Sequence, residues 1–327
     1  MLGNQLHSET SRDGRPRAWP KSNWRSLSAT LAPSIAVCSR SSFIRRLKGA
    51  LPAALVAAAG LAIATAAPTG PAPRYSIQAI RFADSPQDKV AEMVIGAPPE
   101  ERVDTVYAVW LIRGGGRTIL FDSGFHRPRW FREWTVNNYL SPDDAVRLTG
   151  VEPAAVTDIV ISHAHWDHLG GIDLFPNAVV WIQKEEFRYY TQTAWQPGGD
   201  HDGIDPDDIV ELVRLNTEGR VHLVDGDDIE LFPGIRAYTG GRHTYAAQYI
   251  RVDGNPPFVL ASDNVYLYRN LSEHRPSATF TEADYPANLD AQQRMIALAG
   301  SVDRIVPGHD ALQFQRFPTA GRVATLR

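Results

Sequence analysis

The chain has 327 residues, of which 43% are hydrophobic and 21% charged, and its formal net charge at pH 7 is −4. This length can bury a large core, while the absence of a basic stretch outside the N-terminal region argues against a nucleic-acid partner and favours a small-molecule substrate. The single cysteine, Cys38, excludes a disulfide framework, and composition leaves the oligomeric state open.

The first predicted element is an export signal. Arg45-Arg46-Leu47-Lys48 precedes a long apolar run from Ala50 to Ala67, and Ala64-Thr65-Ala66 has the small-x-small pattern of a cleavage site. After cleavage we expect a periplasmic or secreted protein without a stable membrane anchor. The alternative is an uncleaved anchor helix, because the run is near the lower length limit for crossing a bilayer. The paired arginines do not decide between Sec and twin-arginine export.

This pattern also sets the expected domain boundaries. Residues 1–67 are interpreted as a presequence that contains the signal peptide at about residues 43–67, and residues 68–327 as one globular domain. A signal peptide normally stands at the start of a chain. We therefore also expect translation to start downstream of Met1, near Val37.

Apolar runs bounded by turn residues predict strands, and longer periodic segments predict helices. The predicted strands are residues 76–82, 105–112, 118–122, 159–161, 179–182, 222–224, 229–231, 235–238, 248–252, 259–261 and 304–306. The predicted helices are residues 142–149, 184–190, 206–215 and 286–299. The mixed order of strands and helices favours a two-sheet sandwich flanked by helices.

The run Ser162-His163-Ala164-His165-Trp166-Asp167-His168 follows the predicted strand 159–161 and is the strongest functional signal. It places three imidazoles and one carboxylate in six consecutive positions, at the end of a strand. Imidazole and carboxylate are ligands that suit Zn²⁺, and this spacing indicates a site for two metal ions. A solvated cluster of histidines is the alternative.

Three further residues with ligand side chains follow predicted strands: His243, Asp263 and His309. Each one alone is typical of a turn or a cap. Their order after the histidine-rich run makes a shared site the better interpretation.

The complete order, His-x-His-x-Asp-His, then His, Asp and a Gly-His, resembles the metallo-β-lactamase superfamily over nearly the whole mature chain. Residues 118–124, Thr-Ile-Leu-Phe-Asp-Ser-Gly, are similar to the early hairpin of that family, which ends in an Asp-x-Gly loop. The resemblance implies an α/β (α+β) fold, the αββα sandwich, with residues 68–327 as the catalytic domain.

The resemblance also implies two divalent metal ions, with Zn²⁺ expected first and Mn²⁺, Fe²⁺ or Co²⁺ left open. Its ligand assignment gives one metal to His163, His165 and His243, the other to Asp167, His168 and His309, and the bridging position to Asp263. Asp122 would support the ligands from behind. A metal-bridging hydroxide would attack the substrate, while Asp167 would orient it and pass its proton to the leaving group.

Several branches of the superfamily fit less well. Cys38 lies far from the ligands, which disfavours β-lactamases with a cysteine ligand, and Asp263 disfavours those with only histidines. Glyoxalase II enzymes carry a C-terminal helical domain, and the chain ends soon after His309. The chain is most similar to the N-acyl homoserine lactonases, quorum-quenching enzymes with a tyrosine three residues after the bridging aspartate. Here that residue is Tyr266, which would hydrogen-bond the lactone oxygen, and Tyr268 is its competitor.

Two insertions are expected beside the substrate. In residues 125–134, Phe125, Trp130 and Trp134 are candidates to bind an acyl chain, although an aromatic loop packed on its own domain is an equal alternative. Trp166, inside the metal motif, either borders the pocket or packs below it. Residues 191–205 have the composition of a mobile lid, in which His201 is interpreted as a surface residue.

The leading hypothesis is therefore a dinuclear hydrolase that opens small lactones such as N-acyl homoserine lactones. The alternatives are an exported phosphotriesterase similar to methyl parathion hydrolase, another ester or β-lactam hydrolase, and a metal-binding module without activity.

The export hypothesis predicts the N-terminus of the mature protein. N-terminal sequencing of protein recovered from the periplasm or medium is expected to begin near Pro68, because the small-x-small site ends at Ala66. Recovery of an intact Met1 would contradict both the cleavage and the downstream start.

Overall fold

The computed structural model describes residues 74–327, and these residues build an eight-stranded sheet and a five-stranded sheet. The predicted signal peptide, the boundary at residues 67 and 68, and Cys38 lie outside the described residues. The strands in chain order are β1 (Ser76–Lys89), β2 (Arg102–Gly114), β3 (Arg117–Phe121), β4 (Asp158–Val160), β5 (Val179–Gln183), β6 (Val221–Val224), β7 (Ile229–Phe232), β8 (Ile235–Thr239), β9 (Gln248–Val252), β10 (Phe258–Ser262), β11 (Ile305–Pro307), β12 (Thr319–Ala320) and β13 (Val323–Leu326).

The larger sheet has the strand order β12-β13-β1-β2-β3-β4-β5-β6, and the smaller sheet has the order β11-β10-β9-β8-β7. Strands β3 to β6 are parallel to one another, as are β10 and β11. Parallel neighbours place their carboxyl ends at one edge of a sheet, so the loops after these strands meet. This arrangement gathers the predicted ligands.

The hairpin between β2 and β3 shows how the sequence sets this register. Gly114 pairs with Arg117, so that Gly115 and Gly116 form the two-residue turn with φ angles of 59° and 75°. Positive φ at both positions is the requirement of a type I′ turn, and glycine meets it without a steric penalty.

The helices are α1 (Trp130–Glu133), α2 (Pro142–Arg147), α3 (Trp166–Leu169), α4 (Lys184–Tyr190), α5 (Pro206–Thr217), α6 (Tyr268–Ser272), α7 (Tyr285–Ala299) and α8 (Gln313–Arg316). The longer helices have clear end signals. The side chain of Asp205 accepts a hydrogen bond from the backbone of Asp207 and Pro206 opens α5, whereas α7 stops at Gly300, whose φ is 76°. Within residues 74–327 no helix combines the length and apolar character that crossing a membrane requires.

Three apolar clusters hold the layers together. One lies between the sheets and joins Trp110 of the larger sheet to Ile250 of the smaller one. A second packs the other face of the larger sheet against α2 and α5, and a third packs the smaller sheet against α7 through Met295. The layers are therefore helix, sheet, sheet, helix, which confirms the predicted αββα sandwich.

Every predicted strand and helix is present. Strand β1 continues to Lys89 beyond its predicted end at residue 82, and the other ends shift by a few residues at most. The two additional strands, β12 and β13, return to the edge of the larger sheet, where Leu326 pairs with Ile77. The additional helices α1, α3, α6 and α8 have four or five residues each. A helix of one turn is too short to show an apolar period in the sequence.

Candidate metal centre

The predicted ligands all lie in loops that leave the carboxyl ends of strands. His163 to His168 follow β4 and enter α3, Asp263 follows β10 directly, and His309 follows β11. His243 lies in the loop after β8. The structure brings all seven predicted ligands together, in one group of His163, His165, His243 and Asp263 and a second group of Asp167, His168 and His309.

In the first group, three imidazole nitrogens converge. Nδ1 of His165 lies 3.0 Å from Nε2 of His163 and 3.0 Å from Nε2 of His243. Oδ2 of Asp263 lies 3.9 Å from Nε2 of His163 and 3.6 Å from Nε2 of His243. His165 therefore presents Nδ1 to the group, whereas His163 and His243 present Nε2.

In the second group, Oδ2 of Asp167 lies 3.5 Å from Nε2 of His168 and 3.5 Å from Nε2 of His309. Oδ1 of Asp263 is 3.4 Å and 3.1 Å from the same two nitrogens. Oδ1 of Asp263 therefore faces the second group, and Oδ2 lies beside both groups, 3.2 Å from Nε2 of His309 and 3.6 Å from Nε2 of His243. The carboxylate thus contacts both groups, as expected of a bridging ligand.

Hydrogen bonds on the far side of the rings fix which nitrogen faces the centre. Nδ1 of His243 donates to the carbonyl of Ala278, and Nδ1 of His309 donates to the carbonyl of Val106, each at 2.9 Å. Because a carbonyl only accepts, Nε2 of each neutral ring carries a lone pair that points inward. Nδ1 of His168 contacts Oδ2 of Asp122 at 2.9 Å, so that Nε2 of His168 also faces the centre.

Asp122 is the support that the sequence predicted. It is fully buried and also accepts from the backbone of Ser162 at 2.7 Å and from the hydroxyls of Ser162 and Ser262 at 2.9 Å each. Both Asp122 and Ser262 have left-handed backbones, with φ of 61° and 47°. Strained backbone of this kind is kept where surrounding contacts determine it, as they do at this edge of the sheets.

The donor set fits divalent metal ions. Nε2 of His168 and Oδ1 of Asp263 are buried and, although only 3.4 Å apart, are not oriented to form a hydrogen bond. Buried polar atoms are nearly always paired. Three lone pairs at 3.0 Å separation repel one another unless a cation or proton lies between them. Histidine and carboxylate together are ligands for Zn²⁺, Mn²⁺, Fe²⁺ or Co²⁺.

In the protein without metal, the two groups differ electrostatically. Burial lowers the pKa of His163 well below its usual range and that of His165 to about 3. Burial also opposes charge on His168 and His309, but the carboxylates of Asp263 and Asp167 outweigh it. They raise the pKa of His168 well above its usual range and that of His309 to about 9. The histidine pKa values of the two groups are therefore shifted in opposite directions.

Comparison with known proteins agrees with this geometry. Residues 103–309 match the sequence profile of the metallo-β-lactamase superfamily. The chain belongs to the metallo-β-lactamase superfamily. Both the predicted family and the predicted fold are confirmed.

Among curated relatives in the superfamily, the N-acyl homoserine lactonase AttM of Rhizobium johnstonii is 27% identical over 180 residues, which is 54% of this chain. The matched part spans 66% of that relative's length, just under two thirds. Solved structures show the same fold. A quorum-quenching N-acyl homoserine lactone lactonase has a TM-score of 0.60 at 18% identity, covering 75% of this chain and 95% of its own. The dizinc quorum-quenching lactonase AidC has a TM-score of 0.57 at 14% identity, covering 78% and 95%.

Two aromatic residues of the insertion at residues 125–134 are buried, although they were expected to line the substrate pocket. Phe125 is fully buried, and Trp130 and Trp166 keep only 3% and 4% of their surface exposed. Trp130 stacks on Trp166 at 4.5 Å and donates from Nε1 to Oδ2 of Asp205 at 2.9 Å. The expectation that Phe125 and Trp130 line an open pocket is therefore wrong, because their rings are packed inside the domain and support Trp166 from below. Trp134 is the half-buried member and lies 6.0 Å from Trp166.

The two candidate tyrosines are clearly separated. The hydroxyl of Tyr266 lies 3.4 Å from Nε2 of His243, and its ring stacks on His309 at 5.4 Å. Tyr268 instead lies beneath the guanidinium of Arg316, 3.7 Å from its ring centre, and lines a different cavity. Of the two residues, Tyr266 is the one at the metal centre.

Residues 191–205 contain contacts that the sequence did not predict. Gly203 accepts a hydrogen bond from the backbone of Trp166 at 3.0 Å, and a Cβ at this glycine would lie 2.9 Å from the ring of His165. His201 is not among the ligand groups and contacts the carbonyl of Ala194 at 3.0 Å. In the structure the backbone of this segment therefore packs against the ring of His165 at Gly203. In the sequence, only Gly203 itself could have indicated this contact, because glycine often occurs where the backbone approaches another group closely.

The raised pKa of His309 predicts how metal binding depends on pH. At pH 7 the metal-free ring of His309 is protonated, and the raised pKa of His168 adds a second proton to the same group. Metal binding must displace these protons, so affinity should rise between pH 7 and 9 by about tenfold per pH unit for each proton displaced. Competition against a chelator at pH 7, 8 and 9, corrected for protonation of the chelator, measures this. An affinity that stays constant over that range would contradict the electrostatic description.

Proposed function

We propose that the protein is a dinuclear metal-dependent hydrolase that opens small lactones, N-acyl homoserine lactones among them. The observation that carries the proposal is the position of Tyr266, whose hydroxyl faces a centre in which Asp263 joins two ligand groups. The names of the curated relatives and of the solved structures support the same substrate class.

In this proposal His163, His165 and His243 would hold one ion, and Asp167, His168 and His309 would hold the other. Asp263 would contribute to both sites. Zn²⁺ is the proposed metal, in keeping with the dizinc lactonase of similar fold. Two such ions supply a nucleophile from water near neutral pH and polarise the carbonyl under attack.

Tyr266 supplies the neutral hydrogen-bond donor of the reaction. Burial, together with the charges of Asp263 and Asp167, raises the pKa of this phenol well above its usual range, so that it keeps its proton. A protonated phenol beside the ligands can donate to the oxygen that becomes negatively charged when the lactone carbonyl is attacked. Trp134, half-buried at the edge of the aromatic insertion, is proposed to contact the acyl chain.

Asp167 is the proposed proton carrier. Burial opposes its charge, but His168 and His309 outweigh burial and hold its pKa below the usual range. It is therefore ionised and can accept a proton from the attacking water. Delivery of that proton to the ring oxygen as the acyl C–O bond breaks gives the hydroxy acid, and the aspartate returns to its starting state.

A substrate panel tests the proposal. We expect Zn²⁺-loaded protein to open N-acyl homoserine lactones faster than it hydrolyses a phosphotriester or a β-lactam, with the rate followed by proton release. Asp263→Asn is the matched control, since it keeps the shape but removes the bridging charge, and its activity should be lost. Preference for the phosphotriester would replace the lactonase proposal with the alternative.

Substitution of Tyr266 tests the role of the phenol. Tyr266→Phe should lower kcat for lactones by about 10²-fold or more, since loss of one oxyanion donor typically costs that much, with metal content unchanged. Tyr268→Phe is the control, because this ring lies under Arg316 and should leave kcat close to that of the wild type. Equal kcat in Tyr266→Phe and wild-type protein would show that the phenol packs without taking part.

A further inference from the structure

Glu186 is a fully buried carboxylate that the proposed reaction does not use. It lies in α4, has 0% of its surface exposed, and accepts three hydrogen bonds. Oε1 accepts from the backbone of Ala164 at 2.9 Å and from the hydroxyl of Thr244 at 2.6 Å, and Oε2 accepts from the backbone of Ala246 at 2.6 Å. Burial of a carboxylate is costly, and these donors offset part of that cost.

The three donors lie beside the ligands of the first group. Ala164 stands between His163 and His165, and Thr244 follows His243 directly. The first of these segments leaves β4 of the larger sheet, and the second leaves β8 of the smaller sheet. One side chain therefore ties together the two loops that supply all three imidazoles of the first group.

The sheets are also tied at a place that does not involve Glu186. Gln248 of β9 donates from its backbone to the carbonyl of Ser162 at 2.8 Å and from its side chain to the carbonyl of Ile161 at 2.7 Å. The sandwich thus has other polar contacts across this edge. Glu186 differs from Gln248 in that it contacts both ligand-bearing segments next to their histidines, where Nδ1 of His165 and Nε2 of His243 lie 3.0 Å apart.

We propose that Glu186 is a positioning residue for the first metal group, and that it sets the distance between the His163–His165 segment and His243. The inference rests on the proposed metal centre. Contacts behind the ligands typically change metal affinity by about 10–100-fold when they are removed.

Glu186→Gln is the test variant, with Asp158→Asn as a matched control. Glutamine keeps the shape of the side chain and one acceptor oxygen. Its NH₂ group, however, would face one of the three groups that donate to Glu186, and that hydrogen bond would be lost. Asp158 is also buried, with 1% exposed, and accepts from Arg117 at 2.8 Å, Thr157 at 2.7 Å and Trp181 at 3.0 Å. It begins β4, at the end of the strand opposite His163.

Metal-free wild-type and variant proteins would be titrated with Zn²⁺ against a chromophoric chelator, and unfolding midpoints measured in parallel. We expect wild type to bind two ions. Glu186→Gln should weaken one of the two sites by about 10–100-fold and change the visible spectrum of Co²⁺ at that site. Asp158→Asn should keep the wild-type affinity of both sites even where its unfolding midpoint falls.

Wild-type affinity at both sites in Glu186→Gln, with an unfolding midpoint lowered as in the control, would overturn the inference. If Glu186→Gln does not fold, Thr244→Val takes its place, because it removes one hydroxyl donor and leaves no backbone group unpaired. Unchanged affinity in Thr244→Val then overturns the inference, and a weaker site supports it. Wild-type protein that binds no metal contradicts the proposed function itself, before any variant is compared.

Discussion

The structure depends on the convergence of five imidazoles and two carboxylates at one edge of the sandwich, where little water reaches them. Burial opposes the charge of these side chains, and the inward lone pairs of His163, His165 and His243 repel one another. The arrangement persists because neighbouring groups hold three of the five rings from behind, through the carbonyls of Ala278 and Val106 and the carboxylate of Asp122. Divalent cations between these groups would convert the repulsion into attraction, so that metal binding and folding stabilise each other.

This constraint explains why residues around the centre have little freedom. A Cβ at Gly308 would lie 2.2 Å from Oδ1 of Asp263, and a Cβ at Gly241 would lie 1.7 Å from Oδ1 of Asn264. Both glycines stand one or two residues before a ligand histidine. The backbone must approach the neighbouring strand closely for the histidine to reach the centre, and only glycine permits that approach.

Much of the site could be predicted from sequence because its signals are local. Histidines spaced along a few residues after an apolar strand, and an aspartate or histidine after each later strand, are visible without knowledge of the fold. Burial is not local in this sense. Glu186 stands in the charged run Lys184-Glu185-Glu186, which is typical of a solvated helix end, and only its spacing from Tyr189 and Tyr190, three and four residues later, indicates the buried face. Only its spacing from Asp263 favoured Tyr266 over Tyr268 in the sequence, and the start of α6 at Tyr268 places the two rings in different surroundings.

The aromatic insertion shows why a residue type alone does not identify a pocket. Trp166 lies next to Asp167 in the ligand motif, and it stacks on Trp130, which in turn donates to Asp205. Two segments distant in sequence therefore support the middle of the motif. A large ring packed on both sides has few alternative rotamers, so the backbone that carries His165 and Asp167 is fixed by dispersion as well as by hydrogen bonds. Such packing excludes water below the centre and keeps the ligands in place. A hydrolytic reaction requires this, because the nucleophile and the carbonyl must be held in defined positions.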